Sequence, residues 1–136
     1  MMQSFQIRTS SQTEFIDITR SVQEAVKKAG AKDGVCIIFI PHTTAAVTIN
    51  ENADPSVVGD MEMAFNKIAP WKDAYRHLEG NSAAHIKASL IGCSEIVPVE
   101  SGKLVLGTWQ GIFLCEFDGP RNRSVYVKVI KTMRER

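Results

Sequence analysis

The chain has no long apolar run. Its longest uninterrupted one, Val35 to Ile40, is far too short for the ~20 residues that span a bilayer. Residues Met1 to Ser10 alternate polar and apolar side chains and hold no signal core, so the sequence predicts a cytoplasmic protein with no membrane partner. Cysteine is scarce: Cys36, Cys93 and Cys115 are dispersed, with no Cys-x-x-Cys pair. That excludes a disulfide framework and points to a reducing compartment. Each falls in an apolar, strand-like run, where a thiol packs as a small hydrophobe. Net charge is also lacking, with 16 Lys and Arg against 15 Asp and Glu. This speaks against a nucleic-acid partner, which needs a basic face. The one basic stretch, Lys131 to Arg136, contains Glu135 and reads as a solvated, fraying end. Phosphate-binding Gly-x₄-Gly-Lys-Ser/Thr, Gly-x-Gly-x-x-Gly and Gly-x-Ser-x-Gly are all missing, which disfavours nucleotide-driven and serine-hydrolase chemistry.

Linkers and repeats are absent too, so residues 1–136 read as a single domain. Phe5 and Ile7 mark a first strand, and Phe15, Ile16 and Ile18 a short second. Val22, Val26 and Ala29 follow at helical spacing, with Thr19 or Ser21 as cap and Gly30 as the stop. Gly34 to Ile40 is a β-branched central strand, and Ala45 to Ile49 is expected beside it. Asp54 as N-cap and Pro55 at the first helical position open a helix. Its expected buried stripe is Val57, Val58, Met61, Phe65 and Ile68, and Pro70 stops it. After a loop from Trp71 to Gly80, Asn81 or Ser82 caps a helix that runs through Ile91 to Gly92. Residues 94–99, 103–106, 112–117 and 124–130 read as strands between turns. The pattern predicts an α+β fold: one two-layer domain, a mainly antiparallel sheet with about three helices on one face.

Polar residues that suit chemistry concentrate in four segments, each where a predicted element begins or ends. All three histidines lie in them. His85 is one turn into its helix, where the dipole disfavours imidazolium and keeps the ring able to bind a metal. On one continuous helix His77 and His85 would be separated by about 12 Å of rise. They can share an ion only if the chain folds back at Glu79-Gly80-Asn81, since Zn–N bonds are about 2 Å. Against this, the His-x₃₄-His-x₇-His spacing is no specific metal signature, and a lone histidine is most often a hydrogen-bonded structural group. Asn50, Glu51, Asn52 and Asp54 precede a helix start, either as caps and turns or as one wall of an anion site. Glu116 and Asp118 share one strand face, with Arg121 and Arg123 beyond the Gly119-Pro120 turn. They form either a surface ion pair or a phosphate-binding group. Trp109, between Gly107 and Gly111, reads as core filler or as a place of close backbone approach.

Five stretches, Pro-His-Thr-Thr-Ala (41–45), Asn-Glu-Asn-Ala-Asp-Pro (50–55), Glu-Gly-Asn-Ser-Ala-Ala-His-Ile-Lys (79–87), Gly-Thr-Trp-Gln-Gly-Ile (107–112) and Glu-Phe-Asp-Gly-Pro-Arg (116–121), give the chain its resemblance to the YjbQ-like family. That family is often labelled secondary thiamine-phosphate synthase. The resemblance implies a compact α+β trimer with weak thiamine-phosphate synthase activity. The dedicated enzyme for that step is a (β/α)₈ barrel, which needs roughly 200 residues or more, so the activity here would be secondary. The combined reading is an enzyme acting on a small phosphorylated metabolite. His42, His77 and His85 are expected to hold a divalent ion (zinc or magnesium) or a phosphate. His42, Asp54, His85 and Glu116 are the candidate catalytic groups, with Glu116 or Asp54 as base. Thr43, Thr44, Asn50, Asn52, Asn81, Thr108, Trp109, Gln110 and Arg121 are the candidate substrate contacts. The alternatives are metal-dependent hydrolysis and non-catalytic metabolite binding. The runs Leu104-Val105-Leu106 and Ile112 to Cys115 are apolar on both faces, and packing them around a threefold axis would accord with a homotrimer.

Overall fold

The computed structural model describes residues 2–132. The end of the basic stretch, residues 133–136, lies outside them. In chain order the elements are β1 (Met2–Arg8), β2 (Glu14–Asp17), α1 (Thr19–Ala29), β3 (Gly34–Phe39), β4 (Ala45–Glu51), α2 (Pro55–Ile68), α3 (Ser82–Ile91), β5 (Ser94–Glu100), β6 (Lys103–Leu104), β7 (Gln110–Glu116) and β8 (Asn122–Lys131). The domain is α+β with three helices, as its sequence predicts.

The expected single sheet is not what forms. In place of one sheet there are two, both antiparallel: a five-stranded sheet in the order β1-β8-β3-β5-β6 and a three-stranded sheet in the order β2-β7-β4. β3 and β4, expected as neighbours, belong to different sheets. Pro41 has no N–H to continue a ladder, and the segment from Ile40 to Thr44 crosses from the larger sheet to the smaller. That crossing positions the site described below.

The main core lies between the sheets. Cys36 and Ile38 of β3, Val97 and Val99 of β5, and Val125 and Val127 of β8 face Ala45 and Val47 of β4 and Ile112 and Leu114 of β7. Val22, Ala25 and Val26 of α1 join the same core, and α1 packs against β6, β7 and β8. Alternation sends Ala46, Phe113 and Cys115 to the other face of the smaller sheet, with Phe117. There they meet Ala84 and Ala88 of α3, Val58 of α2 and Trp71. Both apolar faces of β7 are therefore covered within one chain, and the apolar run Ile112 to Cys115 needs no partner copy to bury it.

Asp54 caps α2 as expected, its Oδ1 accepting from Ser56 N at 2.9 Å with Pro55 following. The stripe on α2 is not core, however. Val57, Val58, Met61 and Phe65 are half-buried and Ile68 is 63% exposed. Among the described residues no helix is long and apolar enough to cross a membrane.

Candidate functional site

The crossing segment carries His42 past β8, where its Nε2 accepts from Ser124 N at 2.9 Å. An accepting Nε2 leaves the ring proton on Nδ1, as a donor. Burial first, and the Arg123 charge second, hold the imidazole below its ordinary 6.5, with Glu116 opposing. The ring is neutral at pH 7.

Behind it lies a buried ion pair. Arg123 is 2% exposed and Glu116 0%. Arg123 Nε donates to Glu116 Oε1 at 2.9 Å, and Nη2 donates to Glu116 Oε2 and to Thr44 Oγ1 at 2.8 Å. Glu116 also accepts from Thr9 Oγ1 at 2.8 Å and from Asp118 N at 3.0 Å. Burial pushes this carboxyl up, but the bonds from Arg123, Asp118 N and Thr9 outweigh it and leave it below its ordinary 4.5. The network runs on through Thr9 Oγ1, which accepts from Arg121 N at 2.9 Å. Asp118 ties Arg121 to α3: its Oδ2 accepts from Arg121 Nη2 at 3.1 Å and from Asn81 Nδ2 at 2.8 Å. The turn between them is too tight for a side chain. A Cβ on Gly119 would lie 2.3 Å from Ser11 O and 2.8 Å from Glu116 Cγ.

A cleft of about 410 Å³ opens in front of this framework, lined by Phe39, Pro41, His42, Thr43, Cys93, Arg121 and Arg123. Arg123 Nη1 makes no hydrogen bond among the described residues, and the one buried side-chain N or O atom without a partner there is Asn81 Oδ1. Nη1 is therefore the open corner of an otherwise sealed guanidinium, and the cleft is where it opens. Arg121, half-exposed, supplies a second cation at the same wall.

The expected site residues do not all meet. Along the β4–β7 ladder Ala45 pairs with Glu116 at one end and Glu51 with Gln110 at the other, about 20 Å away at strand rise. His42, Thr43, Thr44, Glu116 and Arg121 gather at the first end, and Asn81 joins them through Asp118. Asn50, Asn52, Thr108, Trp109 and Gln110 lie at the second. There Asn52 N donates to Trp109 O at 3.0 Å, Asn52 Nδ2 to Asp17 Oδ2 at 3.3 Å, and Gly107 N to Gln110 Oε1 at 2.8 Å. Trp109 is 63% exposed and fills no core. Asp54 is taken up with its cap, and its bonds from Ser56 hold it below the ordinary carboxylate value. Both oxygens of Glu116 are occupied, which suits it to holding Arg123 and not to moving protons. Its ion pair with Arg123 is buried, not superficial.

His77 and His85 do come together. The chain reverses at Gly80 (φ 74°), whose N donates to His77 O at 3.1 Å, and the rings sit edge to face with centroids 5.5 Å apart. They line a separate cleft with Tyr75, Arg76, Ser82 and Ile86, which His42 does not reach. The expected zinc or magnesium site is overturned. Among the described residues no three His, Cys, Asp or Glu side chains are placed to hold a metal ion. His42 is committed to Ser124 in another part of the fold, and metal-dependent hydrolysis loses its basis with the site.

Sequence reasoning gave Arg123 too little weight and missed Thr9, Ser124 and Cys93. Cys93, read as part of an apolar strand, is exposed between Gly92 and Ser94, just past the end of α3. Only its flanking glycine and serine hinted at a loop.

The sequence profile described as UPF0047 protein YjbQ-like matches residues 3–132. The Bacillus subtilis UPF0047 protein YugU is 51% identical over 131 residues, covering 96% of this chain and 99% of its own length. A UPF0047 protein of Methanocaldococcus jannaschii is 51% identical over 130 residues, covering 96% and 94%. A crystal structure of a YjbQ/UPF0047-family protein from Clostridium acetobutylicum superposes with a TM-score of 0.92 at 53% identity, over 94% of this chain and 99% of that one. A YbjQ-like protein from Sulfolobus solfataricus gives a TM-score of 0.93 at 36% identity, over 97% of each.

Proposed function

This chain belongs to the UPF0047 YjbQ-like family, and on that footing we propose that it is an enzyme of a small phosphorylated or diphosphate-bearing metabolite, bound in the His42–Arg121–Arg123 cleft. The observation that carries this is the open Nη1 of Arg123. A buried guanidinium with an unused donor beside a second arginine is a ready oxyanion clamp. His42 Nδ1–H and the Thr43 hydroxyl add neutral donors, and Asn81 steadies Arg121 through Asp118.

Thiamine-phosphate synthesis is the activity to test first. The thiazole nitrogen attacks the methylene carbon of the aminopyrimidine diphosphate, a C–N bond forms, the C–O bond to diphosphate breaks, and pyrophosphate leaves. The attacking nitrogen carries no proton, so no base is needed, in keeping with the occupied Glu116. The two arginines would stabilise charge growing on the leaving diphosphate. Incubating the protein with both precursors should release pyrophosphate and thiamine phosphate, and Arg121→Gln should lower the rate at least about 10-fold, the size of one lost charge-assisted contact. For reactions that do need a base, the cleft lining among the described residues offers no carboxylate, and a second reading is metabolite binding without catalysis. Pyrophosphate that raises the melting temperature of a protein with no turnover would select it.

We also propose self-association as a homotrimer through the outer face of the five-stranded sheet. Val35, Ile37 and Phe39 of β3, Ile96 of β5, and Tyr126 and Ile130 of β8 lie on that face, with Ile96 66% and Ile130 53% exposed, around the exposed Lys128 that pairs with Ile37. Such a grouping is larger than solitary surface apolar residues require. Phe39 also lines the cleft, so a partner on this face would reach its rim.

A further inference from the structure

We infer that α2 is a lid that swings off the outer face of the smaller sheet while the rest of the domain stays folded, and that it uncovers Cys115, Phe117 and the amine of Lys87. The movement involves no ligand in the arginine cleft.

This helix is seated unlike the other two. α1 buries Val22, Ala25 and Val26, and α3 buries Ala83, Ala84, Lys87 and Ala88, but none of the 14 residues of α2 is buried. Met63 and Ile68 are exposed. Its apolar grip comes from Val58, in the cluster with Cys115, and from Phe65, whose ring meets Phe117 edge to face with centroids 6.4 Å apart. The two ends differ as well. Directly after α2, Ala69 is buried and Tyr75 Oη donates to Pro70 O at 2.6 Å, which fixes that end as a hinge. At the other end Ala53, Asp54 and Pro55 are all exposed, and the Asp54 side chain bonds only forward, to Ser56 of the same helix. An element with few buried apolar groups opens at a lower free energy than the domain as a whole.

The charges beneath α2 oppose its closing. Lys87 of α3 is withdrawn from solvent, and its Nζ donates to Oδ1 of Asn66 on α2, a neutral acceptor. Burial holds this amine below its ordinary 10.5. Glu62, on α2 itself, lies close enough to Glu14 of β2 and to Cys115 of β7 to interact with both. Burial first, and the Glu14 charge second, hold its carboxyl above the ordinary 4.5. Among the described residues neither Glu62 nor Lys87 is in an ion pair. Each regains water when the helix lifts. The polar ties against that gain are the Asn66 latch and a weak contact from Asn50 Nδ2 to Met61 Sδ at 3.6 Å.

Iodoacetamide labelling of the full chain measures the opening, with Cys93→Ser removing the exposed thiol. Cys115 lies under α2, whereas Cys36 lies in the core between the sheets and meets reagent only when the domain unfolds. Each rate, followed by peptide mapping, is normalised to that of the same thiol in the urea-unfolded chain. Cys115 should react at least about 10-fold faster than Cys36 in native buffer, and backbone amides of α2 should exchange faster than those of α1 by a similar factor. Asn66→Ala should raise the Cys115 rate at least about 10-fold, the worth of a hydrogen bond to a charged group. Glu62→Gln and Lys87→Met should lower it about 3-fold or more, by removing the charges that resist closure. Equal rates at the two thiols, or variants that move both rates together, would show that only global unfolding exposes Cys115, and would overturn the lid. Amides of α2 as well protected as those of α1 would overturn it too.

Discussion

Glu116 and Arg123 are almost wholly withdrawn from solvent, so each depends on the other. Replacing Glu116 by Gln leaves a buried guanidinium without a counter-charge, a loss of about 3–5 kcal/mol that urea denaturation will register. The pH dependence follows from the same bonds. The folded carboxyl titrates below its ordinary 4.5, so the unfolded chain takes up a proton first as acid is added. The contribution of Glu116 is complete above about 4.5 and is lost as pH falls through the folded value. Wild-type melting temperature should drop through that acid window more steeply than that of Glu116→Gln, which has already lost the contribution. His42, Glu116 and Arg121 were legible in the sequence because uncommon polar residues at element ends stand out. Thr9, Ser124 and Cys93 were not, because a threonine, a backbone N–H and a lone thiol look alike wherever they fall. Only the fold gives them neighbours.

At the scale of elements, β3 and α2 make opposite demands of glycine. A Cβ on Gly34 would lie 2.1 Å from Ile130 O, within the β3–β8 ladder. Gly34→Ala must therefore push two paired backbones apart, and should cost at least about 1–3 kcal/mol. Gly59, inside α2, has nothing within 4 Å of its missing Cβ. Gly59→Ala should gain roughly 0.5–1 kcal/mol by removing backbone freedom from the unfolded chain. Opposite shifts in urea midpoint with unchanged slope will check the pair. Strands and helices were readable because their apolar periods are local. The partner of a strand is not local: β3 and β4 follow each other in sequence, yet the crossing through Pro41 separates them. For the same reason β7 looked too apolar for one chain, when a helical layer and a second sheet cover its two faces. The stripe on α2 carried the right period but faces only part of a core.

For the whole molecule, the proposed trimer turns on the apolar residues of the larger sheet's outer face. Each exposed Ile or Phe there forgoes roughly 1.5–3 kcal/mol of burial, and threefold packing would recover it. Sedimentation at micromolar concentration should give three times the chain mass for wild type and a single chain for Ile96→Lys, whose charge would be stranded in the contact. A wild type that sediments as one chain would retire the trimer. The same sheet carries a consequence for synthesis. Among the described residues β8 alone joins β1 to β3, and it follows every other strand in chain order. While a ribosome is still making the middle of the chain, β1 and β3 wait with bare edges, the state in which strands seek the wrong neighbours. β3, β5 and β6 can pair before β8 appears, but β1 can join the larger sheet only once β8 has left the ribosome and slid between it and β3.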